Sequence, residues 1–317
     1  YNLTERNRKL GGNNMKKNNE LYPVLVNKKY GYMDDKGEVI IDTIYDYAEE
    51  FCDDLAIVGV EGNLGYINKK GEVVIDFKFK GANAFSEDLA AVQLGYEWGY
   101  INKKGEVVIP FNFIDAYNFS DGLALVQIGG KQGYINKKGE VVIEPKYDYA
   151  HSFSEGVAVV DINKRFGYID KNGEMVIPAK YLSAGNFKEG LATVEVKRGY
   201  GFIDKNGDML IEPDYEETDS FYGEYAIVCK NEKYGYINKN GETVIPTKYD
   251  NIDVMSEELI PVEIDGKWGY ININDEMIIE PKFTDAYEFV NGLSLVETKG
   301  KFGYINKNGE YVWKPQK

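Results

Sequence analysis

A glycine followed by an aromatic residue occurs nine times in this chain, at Gly31-Tyr32, Gly65-Tyr66, Gly99-Tyr100, Gly133-Tyr134, Gly167-Tyr168, Gly201-Phe202, Gly235-Tyr236, Gly269-Tyr270 and Gly303-Tyr304. Consecutive copies stand 34 residues apart, with no insertion or deletion between them. So strict a register means one module copied end to end, each unit resting on its neighbours. A length of 317 residues therefore says little about domain number. Residues 1–20 lie outside the register and carry five Lys/Arg against two Asp/Glu. They read as a flexible polar lead-in, followed by a single array over residues 21–317.

Within a unit the residues mark three strands, A, B and C. Strand A ends in an apolar run such as Leu123-Ala124-Leu125-Val126, and its valine recurs at 24, 58, 92, 126, 160, 194, 228, 262 and 296. Near-continuous apolar runs belong to strands covered on both faces. Strand B carries the Gly-aromatic pair. A neighbouring unit's ring lying over the bare glycine would account for a glycine inside a strand. Strand C reaches an Ile and is expected to stop at a proline such as Pro110 or Pro145, which supplies no ladder donor.

The connections are equally regular. Two residues join A to B, as in Gly129-Gly130 or Asp265-Gly266, the signature of a primed hairpin turn. Asn163-Lys164 and Asn231-Glu232 match it less well, so turn type is expected to vary. Asn68-Lys69-Lys70-Gly71 and its copies join B to C and predict a type I turn closed by a left-handed residue, with Asp275 standing once for Gly. The Glu that follows (Glu72, Glu106, Glu140) reads as a solvated strand edge. A longer return segment, with rings such as Tyr45 and Phe51 or Phe79 and Phe85, leads to the next strand A. These rings are expected to plug the gap between units, and the segment has room for a short fourth strand or a helical turn.

No stretch has the length and 3.6-residue period of a helix, which excludes the helical repeat classes of similar period. The fold expected is all-β: a tandem array of nine 34-residue three-stranded β-meanders. An open β-solenoid is favoured over a closed β-propeller, for three reasons. An array starting with A and ending with C splits no unit between the termini, 34 residues is short for a blade, and propellers usually close with 4 to 8 four-stranded blades.

A formal charge of −15 argues against nucleic acid and anionic membrane surfaces, and fits solubility or cationic partners. No apolar run approaches 18 residues, so membrane insertion is not expected. Cys52 and Cys229 occupy different repeat positions and predict neither a disulfide nor a metal site. His151, the single histidine, falls at a position that varies freely between units and reads as a surface residue. Asp204-Lys205-Asn206-Gly207-Asp208 lacks the distal Glu of a calcium loop and reads as a turn. No nucleophile–base set assembles, so no enzyme activity, cofactor or metal is expected. Candidate binding residues are the two tryptophans that precede a repeat glycine, Trp98 and Trp268. To these are added Tyr222 and Tyr225, where the sixth unit departs from the common pattern, and the acidic return Asp46, Glu49, Glu50 and Asp53.

The pattern [aromatic]-Gly-Tyr-Ile-Asn-Lys-x-Gly-Glu-x-Val-Ile-x-Pro-x-[Tyr/Phe], with Trp98-Gly99 and Trp268-Gly269 keeping Trp, resembles the WG-repeat (KWG-repeat) family of bacterial proteins over residues 21 to 315. The resemblance implies a bacterial repeat module of variable copy number, with no agreed activity and no catalytic residues to carry over. The function expected is a non-catalytic scaffold for protein–protein interaction. The alternative is a cell-wall or glycan-binding module whose exposed rings stack on sugar faces. Composition suits the bacterial cytoplasm or, if a leader was removed, secretion or the cell surface.

Overall fold

The computed structural model describes residues 20–315, so most of the lead-in, residues 1–19, lies outside the described residues. Among the described residues the chain forms 34 strands in nine separate sheets and no helix. The sheets are the blades of a nine-bladed β-propeller. This corrects the open β-solenoid of three-stranded units. Blade 2 shows the plan: a two-residue strand Tyr47–Ala48, then A Leu55–Val60, B Asn63–Asn68 and C Val73–Phe79, hydrogen-bonded in that order. Seven blades have all four strands. Blade 1 (Tyr22–Val26, Lys29–Met33, Val39–Tyr45) has three among the described residues, and in blade 5 the short strand shrinks to the single bridge Ala150↔Val160. A fourth strand of only two residues is what lets 34 residues build a blade.

Closure uses the contacts that join every other pair of blades. The turn glycines Gly71, Gly105, Gly139, Gly173, Gly207, Gly241 and Gly309 each lie against an isoleucine in strand C of the preceding blade. Gly37 of blade 1 lies instead against Val312 of blade 9. Around it Tyr22, Val24 and Met33 share a buried cluster with Leu293 and Tyr304. The Tyr22 hydroxyl also donates to the Asn291 carbonyl at 3.0 Å. Among the described residues no blade is split between the termini, and side-chain contacts join blade 9 to blade 1.

The core lies between blades rather than within them. In seven of the nine units the ring after the repeat glycine packs on a return-segment Phe of the next blade, as in Tyr66–Phe85, Tyr100–Phe119 and Tyr134–Phe153, with centroids 4.8–5.2 Å apart. Such pairs contribute about 0.5–1.5 kcal/mol beyond the area they bury. The same tyrosine hydroxyls donate to main-chain carbonyls 17 residues on: Tyr66 to Asn83, Tyr100 to Tyr117, Tyr134 to His151.

Four local expectations change. Strand C does not stop at its proline: Val107–Phe113 runs through Pro110, which sits in a bulge opposite Gly99. The repeat glycine is bare for that reason and not to admit a ring, since a Cβ on Gly133 would lie 2.6 Å from the Ile143 carbonyl oxygen and 2.7 Å from the Pro145 nitrogen. Asn163-Lys164 and Asn231-Glu232 both have positive φ throughout and form the same primed turn as their glycine-bearing copies, while turn type varies instead at Gly95-Tyr96 and Lys197-Arg198, where Tyr96, Lys197 and Arg198 lack positive φ. Finally, the Glu after the turn glycine braces the turn: Asn68 Nδ2 donates to Glu72 at 2.7 Å while Asn68 Oδ1 accepts from the Lys70 and Glu72 amides.

Candidate functional site

The short strands line the inside of the ring. Glu217–Thr218, Asn251–Ile252 and Asp285–Ala286, from three consecutive blades, together wall one cleft, which only strands at the inner edge can do. From each short strand a row of side chains runs outward across one face of the blade, each residue the cross-strand partner of the next. In blade 7 the row is Glu217, Cys229, Tyr234, Tyr249. In blade 8 it is Asn251, Glu263, Trp268, Phe283. In both blades the residue before the repeat glycine, Tyr234 or Trp268, is thereby held half-buried between the blade core and the channel.

The cleft has a volume of about 450 Å³. It is lined by Glu217, Asp219, Asp253 and Asp285 and by the rings of Tyr234, Trp268 and Tyr287, and among the described residues by no basic one. Two of the acids are fixed by neighbouring phenols: Tyr234 donates to Glu217 Oε2 and Tyr287 to Asp285 Oδ2, both at 2.9 Å. The Glu217 bond, with burial second, pushes the Tyr234 hydroxyl pKa well above its ordinary value. Backbone amides orient three of the four: Asp219 Oδ1 accepts from Ser220, Asp253 Oδ1 from Val254 and Asp285 Oδ1 from Ala286. The equivalent positions in the other short strands are mostly neutral: Tyr47 with Glu49, Gly81 with Asn83, Asp115 with Tyr117, Ser183 with Gly185. Acidity is thus concentrated on one arc of the channel wall.

The residues expected from sequence do not form one site. Trp268 lines the cleft. Trp98, in blade 3, lies over Gly81, whose missing side chain leaves room for the indole. Asp46 sits at the rim where A meets B, paired with Lys29 at 2.5 Å and accepting from the Glu61 amide. That lysine, and then the amide, hold its carboxyl below the ordinary range. Glu49 is half-buried on the channel wall, accepts from the Tyr47 hydroxyl at 2.5 Å, and is raised by burial. Glu50 faces a small cavity of about 80 Å³ at the ring closure. Asp53 lies 3.7 Å from Lys103 of the next blade. Tyr222 carries the Lys188 ammonium over its ring at 4.2 Å, and Tyr225 stacks on Tyr236.

His151 is not a plain surface residue. It is mostly buried, with Asn186 of the next blade at 2.9 Å from Nδ1 and the Tyr149 hydroxyl at 3.1 Å from Nε2. Among the described residues no three His, Cys, Asp or Glu side chains converge to hold a metal, and no helix is long and apolar enough to cross a membrane.

Sequence reasoning missed Glu217, Asp219, Asp253, Asp285 and Tyr287. Their signal is visible once the nine units are superposed. Positions that repeat are scaffold, and the two that flank the small residue of the short strand change from unit to unit, turning acidic in blades 7 to 9.

Known structures share the architecture. A crystal structure of a eukaryotic initiation factor superposes with a TM-score of 0.67 at 11% identity, covering 95% of this chain and 98% of that one. The dihydro-heme d1 dehydrogenase NirN in complex with DHE gives 0.50 at 15% identity, covering 94% of this chain and 73% of that one. At such identities the likeness is one of fold alone. No curated protein matches in sequence. The model of the WG containing repeat matches eight times, over residues 30–63, 65–97, 98–131, 133–165, 166–198, 200–234, 234–268 and 268–302. Each match runs from strand B of one blade into strand A of the next or just beyond it, so the repeat seen in sequence is a blade-to-blade junction. With nearly the whole array matched, the chain belongs to the WG-containing repeat family.

Proposed function

We propose that the ring is a non-catalytic scaffold that binds a protein partner along its channel wall. The observation supporting this reading is the division of labour among repeat positions. Ring pairs, turn glycines and tyrosine–carbonyl bonds recur at almost every junction, whereas the channel-facing positions differ in each blade and open into a cleft across blades 7 to 9. A repeat fold varies in this way where the surface chooses a ligand and the frame does not.

A photo-crosslinking residue at Asn251, inside the cleft, compared with one at Asp76 on an outer strand, tests the proposal in cell extract. Protein adducts specific to position 251 are the expected result, and equal labelling at both positions would refute a channel-wall site. The glycan reading keeps one specific support: Trp268 and Tyr234 present half-buried rings beside carboxylates, an arrangement that suits a sugar face. Co-sedimentation with peptidoglycan that is lost in Trp268→Phe/Tyr234→Leu would favour it.

A further inference from the structure

We propose that Tyr149 is a nucleophilic phenol on the channel wall that takes an acyl group from an activated ester or thioester, with His151 as its base and Asn186 as the residue that positions the base. This goes beyond the scaffold reading and does not depend on it.

The geometry is that of a nucleophile, its base and an orienting group, spread over two neighbouring blades. The Tyr149 hydroxyl lies 3.1 Å from His151 Nε2, and His151 Nδ1 lies 2.9 Å from Asn186 Oδ1. An amide oxygen only accepts, so Nδ1 carries the ring proton. Nε2 of the neutral ring is then the bare nitrogen, and the phenol donates to it. Burial lowers the His151 pKa, so the neutral, proton-accepting form prevails near neutral pH. The chain has one histidine, so this phenol alone among its tyrosines has an imidazole for a partner.

The phenol is held in place and still open to a reactant. Its ring meets His151 at 5.2 Å and Phe166 at 6.1 Å, both edge to face, while the residue stays 49% exposed. The next blade has Ser183 and Gly185 at the equivalent wall positions, the smallest such pair among the described residues. In the reaction the Tyr149 oxygen bonds to the acyl carbon, and the bond from that carbon to the leaving oxygen or sulfur breaks. The phenol proton passes through Nε2 to the leaving group. Tyr47 lacks these advantages. Its hydroxyl donates to Glu49, a carboxylate and so ordinarily a weaker base than imidazole, and burial, then that bond, push its pKa well above the ordinary value.

The test treats the whole chain with p-nitrophenyl acetate near neutral pH and locates the acetyl groups over time by peptide mass spectrometry. Tyr96, 94% exposed at a hairpin turn, is the internal reference for an unassisted phenol. The native chain is compared with His151→Gln, Asn186→Ala and Asn186→Asp, and thermal melts check that each variant folds. Tyr149 is expected to be acetylated at least about tenfold faster than Tyr96, a modest share of what a general base supplies. His151→Gln should bring Tyr149 to within about threefold of Tyr96. Asn186→Ala should lose most of the enhancement, and Asn186→Asp, which still accepts from Nδ1, should restore it. Should His151→Gln melt early, the two Asn186 variants decide alone. Equal rates at Tyr149 and Tyr96 in the native chain would overturn the nucleophile. An enhancement that survives in a folded His151→Gln would overturn the base, and equal loss in both Asn186 variants would overturn the positioning role.

Discussion

The Tyr304 hydroxyl donates to the Pro23 carbonyl at 3.0 Å across 281 residues of sequence, and the Tyr22 and Tyr304 rings meet edge to face at 5.6 Å. The last blade thus holds the first by the group that joins Tyr134 to His151 inside the array. Tyr304→Phe is expected to cost about 1 kcal/mol, the net worth of one such hydrogen bond, and Tyr134→Phe a similar amount. Phe202 already shows that the ring packs without its hydroxyl, on Phe221 at 4.9 Å. Tyr304→Ala is expected to cost about 3–5 kcal/mol through the cavity it leaves. Urea denaturation gives the ordering, and limited proteolysis of Tyr304→Ala should cut first in blade 1 or blade 9. A cut elsewhere would mean that the closure is not the seam.

The modules were legible in sequence and the ring was not, for a physical reason. Period, strand order, turn positions and interleaved rings follow from Gly, Asn and the aromatics at fixed spacing. Curvature follows from small angles between neighbouring blades, and no residue pattern announces those. The fourth strand was hidden because two residues, such as Gly81–Ala82, carry no alternation to detect. Trp268 was visible as a rare residue in a repeated place. Asp219 and Asp253 were not, since single acids in an acidic chain stand out only when three adjacent blades bring them to one wall.

Two glycines of the same unit should respond differently to alanine. Gly133 faces backbone at 2.6–2.8 Å on the Ile143–Pro145 bulge, and backbone cannot swing aside. Gly129 has φ of +58° but open space around its missing Cβ. Gly133→Ala is expected to cost about 3 kcal/mol by overpacking, and Gly129→Ala about 1 kcal/mol from the left-handed backbone alone. Thermal unfolding of the two variants decides. Equal losses would remove the bulge as the reason for the repeated glycine.

At one blade pair inside the array the rim ladder loses both its residues. Where the acidic place is Gly223, the lysine place 50 residues on is Ile273, although Glu189 pairs with Lys239 at 3.5 Å one blade earlier. Glu fits the backbone there, since Glu155, Glu189 and Glu257 all hold φ near +50° at the same place. In a double-mutant cycle, Gly223→Glu and Ile273→Lys should couple favourably by about 0.5 kcal/mol, fading in high salt as an exposed pair does. Ile273→Lys alone should destabilise, because Ile273 packs against the cluster that includes Tyr236 and Ile245. A coupling of zero would reduce the ladder to coincidence of spacing.

His151 makes stability depend on pH near neutrality. Burial lowers its pKa from the ordinary value, and the Asn186 contact only partly offsets this. The folded chain therefore prefers the neutral ring, while the unfolded chain takes up a proton near pH 6.5. Below that pH the unfolded state binds more protons, so stability falls as pH drops from about 6.5 toward the folded-state value and is level above it. Glu49, raised by burial, acts with the opposite sign at lower pH, gaining stability as it is protonated. Chemical denaturation between about pH 5.5 and 7.5 should thus show a slope that His151→Gln abolishes. A slope that survives in His151→Gln would assign the proton to another group and break the link between this junction of blades 5 and 6 and acid sensitivity.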